Sequence, residues 1–130
     1  MSEHPNVARI RAGYGALSRG DVAVTNDLFA EDMVLHATGR NQITGEYRGR
    51  DEVYRVLAKL AEITGGTLHY DVHAVFADDE HGVALVTAKG SRDGQTGEFD
   101  VAHVARLRDG KIVEFWDCPY DRYGLDEFIG

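Results

Sequence analysis

Apolar residues recur every three or four positions through the first half of the chain and every second position after it. Helices are therefore expected before strands. From Asn6, the residues Val7, Ile10, Tyr14 and Leu17 fall on one helical face, and Gly20 ends the run. Asp21 reads as the N-cap of a second, short helix through Val22, Leu28 and Phe29 that closes near Glu31-Asp32. Met33 to Thr38 is apolar and partly β-branched, which predicts a short strand, and a Gly- and Asn-bearing loop follows from Gly39 to Gly49. Asp51 is expected to cap a third helix with Val53, Val56, Leu57, Leu60 and Ile63 inward, and Gly65-Gly66 supply its left-handed exit.

At Thr67 the period changes to two. Leu68, Tyr70, Val72, Ala74 and Phe76 alternate with more polar neighbours, the pattern of a strand with one face on a core. Asp78 to Gly82 reads as a turn, Val83 to Lys89 as a strand, Gly90 to Gly97 as a polar hairpin loop, and Phe99 to Leu107 as a long strand. Arg108-Asp109-Gly110 then turns the chain into a last strand from Lys111 to about Cys118. Segregated helices and strands predict an α+β fold, with helices on one face of a curved antiparallel sheet.

Composition narrows the partners. The chain has 130 residues, the size of one domain, so residues 1–130 are read as a single unit. Asp and Glu number 22 against 14 Lys and Arg, a formal charge of −8 that argues against nucleic acid, and no basic amphipathic stretch suits an anionic membrane. The opening Met1-Ser2-Glu3-His4-Pro5-Asn6 is polar, without the sections of a signal peptide, and a cytoplasmic location is expected. The one cysteine, Cys118, excludes an internal disulfide and reads as a half-buried small apolar residue, with a nucleophile as the alternative.

Leu17-Ser18-Arg19-Gly20-Asp21, Leu28-Phe29-Ala30-Glu31-Asp32, the step Gly45-Glu46-Tyr47-Arg48-Gly49 and the run Arg108 to Phe115 resemble the nuclear transport factor 2-like superfamily. Within it the chain is most similar to SnoaL-like and ketosteroid-isomerase-related proteins. The resemblance implies a cone-shaped, cystatin-like α+β roll, its bent sheet wrapped around N-terminal helices to leave an apolar pocket. It also implies a homodimer through the outer sheet face. The family's activities are diverse, so the fold alone does not assign a reaction.

His103 is the sharpest candidate for chemistry. It lies on the apolar face of its strand between Val101 and Ala105, where an unpaired polar group is costly. By resemblance it falls where ketosteroid isomerases keep the carboxylic acid of their oxyanion hole. A three-residue turn at Arg108-Asp109-Gly110 would set Asp117 diagonal to His103 on the same face, although a one-residue bulge would change that parity. The pair resembles the acid/base residues of SnoaL-like polyketide cyclases. The isomerase base position is Ala37 here, with His36 beside it, so authentic steroid isomerisation is not expected. Arg106 alternates away from His103, and the Asp-Arg-Asp set of limonene epoxide hydrolases is missing. Tyr14 lies one residue past the isomerases' oxyanion-hole tyrosine; it joins His36, Asn41, Tyr47, Tyr54 and Phe115 as pocket candidates.

His69, Asp71 and His73 share the other face of their strand and are read as outer-face residues, not as a metal site. No cofactor or metal is expected, because the chain carries no GxGxxG, P-loop or Cys/His ligand pattern. Tyr120 to Phe128 reads as a segment over the barrel, either a lid or edge cover. The expected activity is proton transfer beside the carbonyl of an apolar substrate, by isomerisation, cyclisation or dehydration. Asp117 would be acid/base and His103 the enolate donor or a base oriented by Asp117. The rival is a module that only binds a small apolar ligand.

Overall fold

A computed structural model describes residues 3–130. Met1 and Ser2, the start of the polar N-terminal stretch, lie outside the described residues.

Helix α1 (Pro5–Arg19) ends at Gly20, whose φ of 67° is the left-handed cap that its position after the apolar stripe implies. At Gly13 a Cβ would stand 2.5 Å from Leu28 Cδ2, so the missing side chain lets α1 lie against α2 (Val22–Leu28). Asp21 caps α2 through Val24 N. That helix stops sooner than its sequence suggests, because Phe29 turns to φ −85°, ψ 124° and opens strand β1 (Phe29–Ala37). Burial decides the boundary: Phe29, Ala30 and Met33 sit in the core beside the last strand.

The expected loop 39–49 contains an edge strand, β2 (Gly45–Arg48), paired antiparallel to β1. Asp51 does not cap α3 (Arg50–Ile63). Gly49 holds the N-cap position without a side-chain bond, and Asp51 lies in the first turn, where a carboxylate favours the helix dipole.

The remaining strands are β3 (His69–Ala77), β4 (His81–Arg92), β5 (Gln95–Arg108) and β6 (Lys111–Pro119), in a six-stranded sheet ordered β2-β1-β6-β5-β4-β3. The sheet is mixed. Its β1–β6 pairing is parallel, a departure from the antiparallel expectation: between the two strands the chain passes through β2, helix α3 and the antiparallel strands β3, β4 and β5. The supposed loop 90–97 is largely strand, reduced to the turn residues Asp93 and Gly94 at φ 51° and 79°. Positive φ at both is the geometry that twists a two-residue hairpin correctly.

Two bulges set the faces. His73 has no partner between the pairs Val72–Val86 and Ala74–Leu85, so the alternation inverts: Val75 is buried and Phe76 is 61% exposed. Phe76 thus belongs to the outer face and not to the expected core row. The second bulge lies at Val113, between Leu107–Ile112 and Arg106–Glu114. The inner sheet face packs on α1 and α3 around Met33, Val53 and Val86, the largest side chains sealed from solvent. Helix α4 (Arg122–Ile129) packs Leu125 and Ile129 with Ala37, Ile43 and Val56 in a second, smaller core.

Candidate active site

The turn before β6 has two residues, not three. Asp109 and Gly110 take φ of 53° and 77°, and Arg108 faces Lys111. That register alone would set Trp116 opposite His103. The extra residue at Val113 moves it by one, so Asp117 stands directly across from His103. The bulge that threatened the expected parity is what restores it, and both residues line the same cavity.

This cavity has a volume of about 170 Å³ and is walled mainly by apolar groups from α1, β1, α3, the sheet and α4. Engineered apolar cavities of about 150 Å³ hold a benzene-sized guest. His103 is 8% exposed at its floor. Burial pushes its pKa from 6.5 down to about 4, so the imidazole is neutral near pH 7. Its partner is Tyr14, which follows Ile10 by one helical turn on the buried stripe of α1 and sets Oη 2.5 Å from Nδ1. The planes of the two rings are nearly parallel, 4° apart. Burial, and then the neighbouring Tyr70, raise the Tyr14 pKa well above its usual range, so the phenol keeps its proton. With Nδ1 occupied, Nε2 is the nitrogen left for a ligand. Phe115 closes one side, its ring centre 5.0 Å from that of His103.

Asp117 is not the orienting partner of His103. Its Oδ1 accepts from Thr38 N at 2.8 Å and lies 3.2 Å from Thr38 Oγ1, and its Oδ2 is 3.8 Å from Arg122 Nη1. Arg122 also donates to Thr38 Oγ1 and, at 2.8 Å, to Asp126. The carboxylate is therefore fixed at the junction of β1, β6 and α4, with the cavity beside it.

Four pocket candidates lie elsewhere. His36 alternates to the outer face, stacks on Trp116 at 5.0 Å and bonds Glu114 through Nε2 at 2.6 Å. Asn41 is a loop staple, accepting from Ile43 N and donating to Asp126. Tyr47 and Tyr54 pack against the core but turn their hydroxyls to Ile43 O and to Thr25 and Asn26, and neither lines the cavity. Tyr14, His103, Phe115 and Asp117 line the one cavity. Cys118 is exposed, not half-buried.

Tyr70, Thr38 and Arg122 are the site residues that the sequence reading did not single out. Tyr70 carried a signal in its place on the inward row of β3. Arg122 had only its i, i+4 spacing to Asp126. On the outer face His69 bonds Asp71 at 2.8 Å and His73 bonds Thr87 at 2.6 Å. Among the described residues no group of three or more His, Cys, Asp or Glu is placed to hold a metal, and no helix is long and apolar enough to cross a membrane.

Comparison with known proteins agrees with this fold. A family model described as SnoaL-like domain matches residues 10–115. An uncharacterised protein of Mycobacterium tuberculosis strain H37Rv, Rv0034, is 26% identical over 98% of each chain. Among solved structures, Bal32a from a soil-derived mobile gene cassette is 27% identical over 96% of each chain, with a TM-score of 0.91. A cystatin-like protein of unknown function from Xanthomonas campestris is 25% identical, with a TM-score of 0.89, over 98% of this chain and 99% of its own. TerC, co-crystallised with polyporic acid, shares the fold at 22% identity and a TM-score of 0.84, over 97% of this chain and 98% of its own.

Proposed function

Since the chain belongs to the SnoaL-like domain family, we propose that residues 1–130 form a single cytoplasmic enzyme domain of isomerase or cyclase type. It acts without a cofactor on the carbon beside a carbonyl of a small apolar substrate. The observation that carries the reading is the Tyr14–His103 hydrogen bond on the floor of an apolar cavity, with Asp117 across the β5–β6 pair.

Enolisation needs a base for the carbon-bound proton and a donor for the oxygen that gains charge. Tyr14 donates to Nδ1 of His103, which fixes the tautomer with its proton on Nε2, aimed at the substrate oxygen. A neutral imidazole is a suitable electrophile because its proton is polarising without being lost, the role that the neutral histidine of triosephosphate isomerase plays. Asp117 takes the proton from the adjacent carbon and returns it to the product. Thr38 and Arg122 hold that carboxylate in place. By the family resemblance, Ala37 falls where a steroid isomerase keeps its base, which sets the proposed site apart from that reaction.

One observation favours the binding-module reading. Asp117 already has structural partners without a substrate: Thr38 N donates to its Oδ1 at 2.8 Å, and Arg122 stands 3.8 Å from its Oδ2. Turnover of cyclic ketones and polyketide-like substrates by wild type, Asp117→Asn and His103→Ala separates the two. Loss of turnover in both variants supports the enzyme. A ligand that co-purifies without any turnover supports the module.

The chain is further proposed to pair as a homodimer through its outer sheet face, where Phe76 is 61% exposed and Trp116 is partly open.

A further inference from the structure

Three polar aromatic groups share the cavity floor, and only two of them are bonded to each other. The Tyr14 hydroxyl is hydrogen-bonded to His103 Nδ1. Tyr70, from β3, stands edge-on to both, at 70° to the Tyr14 ring and 74° to the His103 ring, with centroids 5.9 Å and 5.4 Å away. The one side-chain polar atom that is both sealed and unpartnered among the described residues is Arg122 Nε. Tyr70 lines the cavity, and its hydroxyl, which is not among the sealed atoms, makes no hydrogen bond among the described residues. Burial and then the Asp117 charge raise its pKa to about 12, so this phenol too keeps its proton and can donate it in a hydrogen bond.

The geometry points to Tyr70 Oη as a second donor to the ligand oxygen, beside His103 Nε2, so that the cavity selects a neutral ketone or quinone oxygen with two free lone pairs. The inference rests on the carbonyl reading above and sharpens it. Among the described residues no cation that lines the cavity is left to answer a carboxylate, and Arg122, beside Asp117 but outside the lining, is held by Thr38 and Asp126. Lys89 lines the cavity with its stem, but its ammonium is paired with Asp71 at 2.6 Å and Glu98 at 3.4 Å. Asp117 repels an anion from the other side. A carbonyl oxygen needs donors only, and a tyrosine and a neutral imidazole supply them without charge.

The test uses 1-indanone as probe, with indane-1-carboxylate as the anionic comparison. The carbonyl stretch of the bound ketone is measured by isotope-edited infrared spectroscopy. With wild type the stretch is expected well below its position in hexane, and the carboxylate is expected to bind at least tenfold more weakly. In Tyr70→Phe, affinity should fall by roughly tenfold, since a hydrogen bond to a polarised oxygen is lost, and the stretch should move back toward the hexane value. A role in packing alone would leave the stretch unmoved. Should the Phe variant not fold, 3-fluorotyrosine at position 70 is a stronger donor and should lower the stretch further. The inference is overturned if Tyr70→Phe and wild type give the same stretch, if wild type does not bind the ketone, or if the carboxylate binds as well. Deuterium exchange at C2 in the same samples keeps the two proposals apart. Exchange with a Tyr70-independent stretch removes Tyr70 and leaves the enolisation; a Tyr70-dependent stretch without exchange removes the enolisation and leaves the donor pair.

Discussion

Tyr14 and His103, on α1 and β5, are joined by a 2.5 Å hydrogen bond between Oη and Nδ1 inside an apolar cavity. The bond does two things at once. It satisfies a buried nitrogen that would otherwise cost stability, and it decides which nitrogen of a neutral ring meets the ligand.

Removing the Tyr14 hydroxyl should therefore cost both stability and tautomer control. Tyr14→Phe keeps the ring but leaves Nδ1 unpaired, a loss of about 1–3 kcal/mol. Urea denaturation measures the first effect. ¹⁵N spectra of His103 measure the second, as a change from the Nε2–H form toward a mixture. Unchanged spectra would mean that Tyr14 does not set the tautomer.

His103 should also make the fold acid-sensitive over a definite window. An unfolded chain protonates an imidazole near pH 6.5, whereas in the folded chain the value is about 4. Between these values the unfolded state binds more protons, so stability falls as pH drops. Above pH 6.5 the effect is absent. Below pH 4 it is complete, at roughly 3 kcal/mol. Stability curves of wild type and His103→Gln should converge by that amount between pH 7 and 4. A constant difference across the range would contradict the buried, neutral ring.

Helix α4 is seated on a glycine. A Cβ at Gly97 would stand 2.7 Å from Phe99 and 2.8 Å from Phe128, and the Phe99 and Phe128 rings pack at 5.4 Å. Gly97→Ala should push Phe128 off its seat at a cost of about 1–3 kcal/mol. Amide exchange should then quicken in residues 122–129 more than in the sheet. Uniform protection would show that α4 is held by its polar bonds alone, such as those from Arg92 to Phe128 O and Ile129 O.

The periods of three to four and of two were enough for α1, α3 and the long hairpins, and they put His103, Tyr14 and Phe115 on inward faces. What they missed was decided by tertiary packing. β2 is four residues in a Gly- and Asn-bearing stretch and exists because β1 offers it an edge. The inward placement of Val75 depends on a bulge at His73, and the His103–Asp117 pairing on another at Val113, and no local composition announces either. His36, Asn41, Tyr47 and Tyr54 are polar or aromatic residues in plausible places, and their partners lie 2 to 85 residues away in sequence. Only Ile43, which meets both Asn41 and Tyr47, is local.

The outer sheet face is open to a simple check. Phe76→Glu puts a charge where the proposed homodimer buries an aromatic ring. Sedimentation should show a dimer for wild type and a shift toward monomer for the variant. A wild-type monomer at high micromolar concentration would remove the dimer.

The most direct test of the central claim is deuterium uptake at the carbon beside the carbonyl of a bound cyclic ketone in D₂O. The account predicts catalysed exchange by wild type, a loss of roughly 10²–10⁴-fold in Asp117→Asn, where the base is gone, and of about 10²–10³-fold in His103→Ala, where the oxygen loses its donor. Ketone binding without catalysed exchange, or full exchange in both variants, would contradict it.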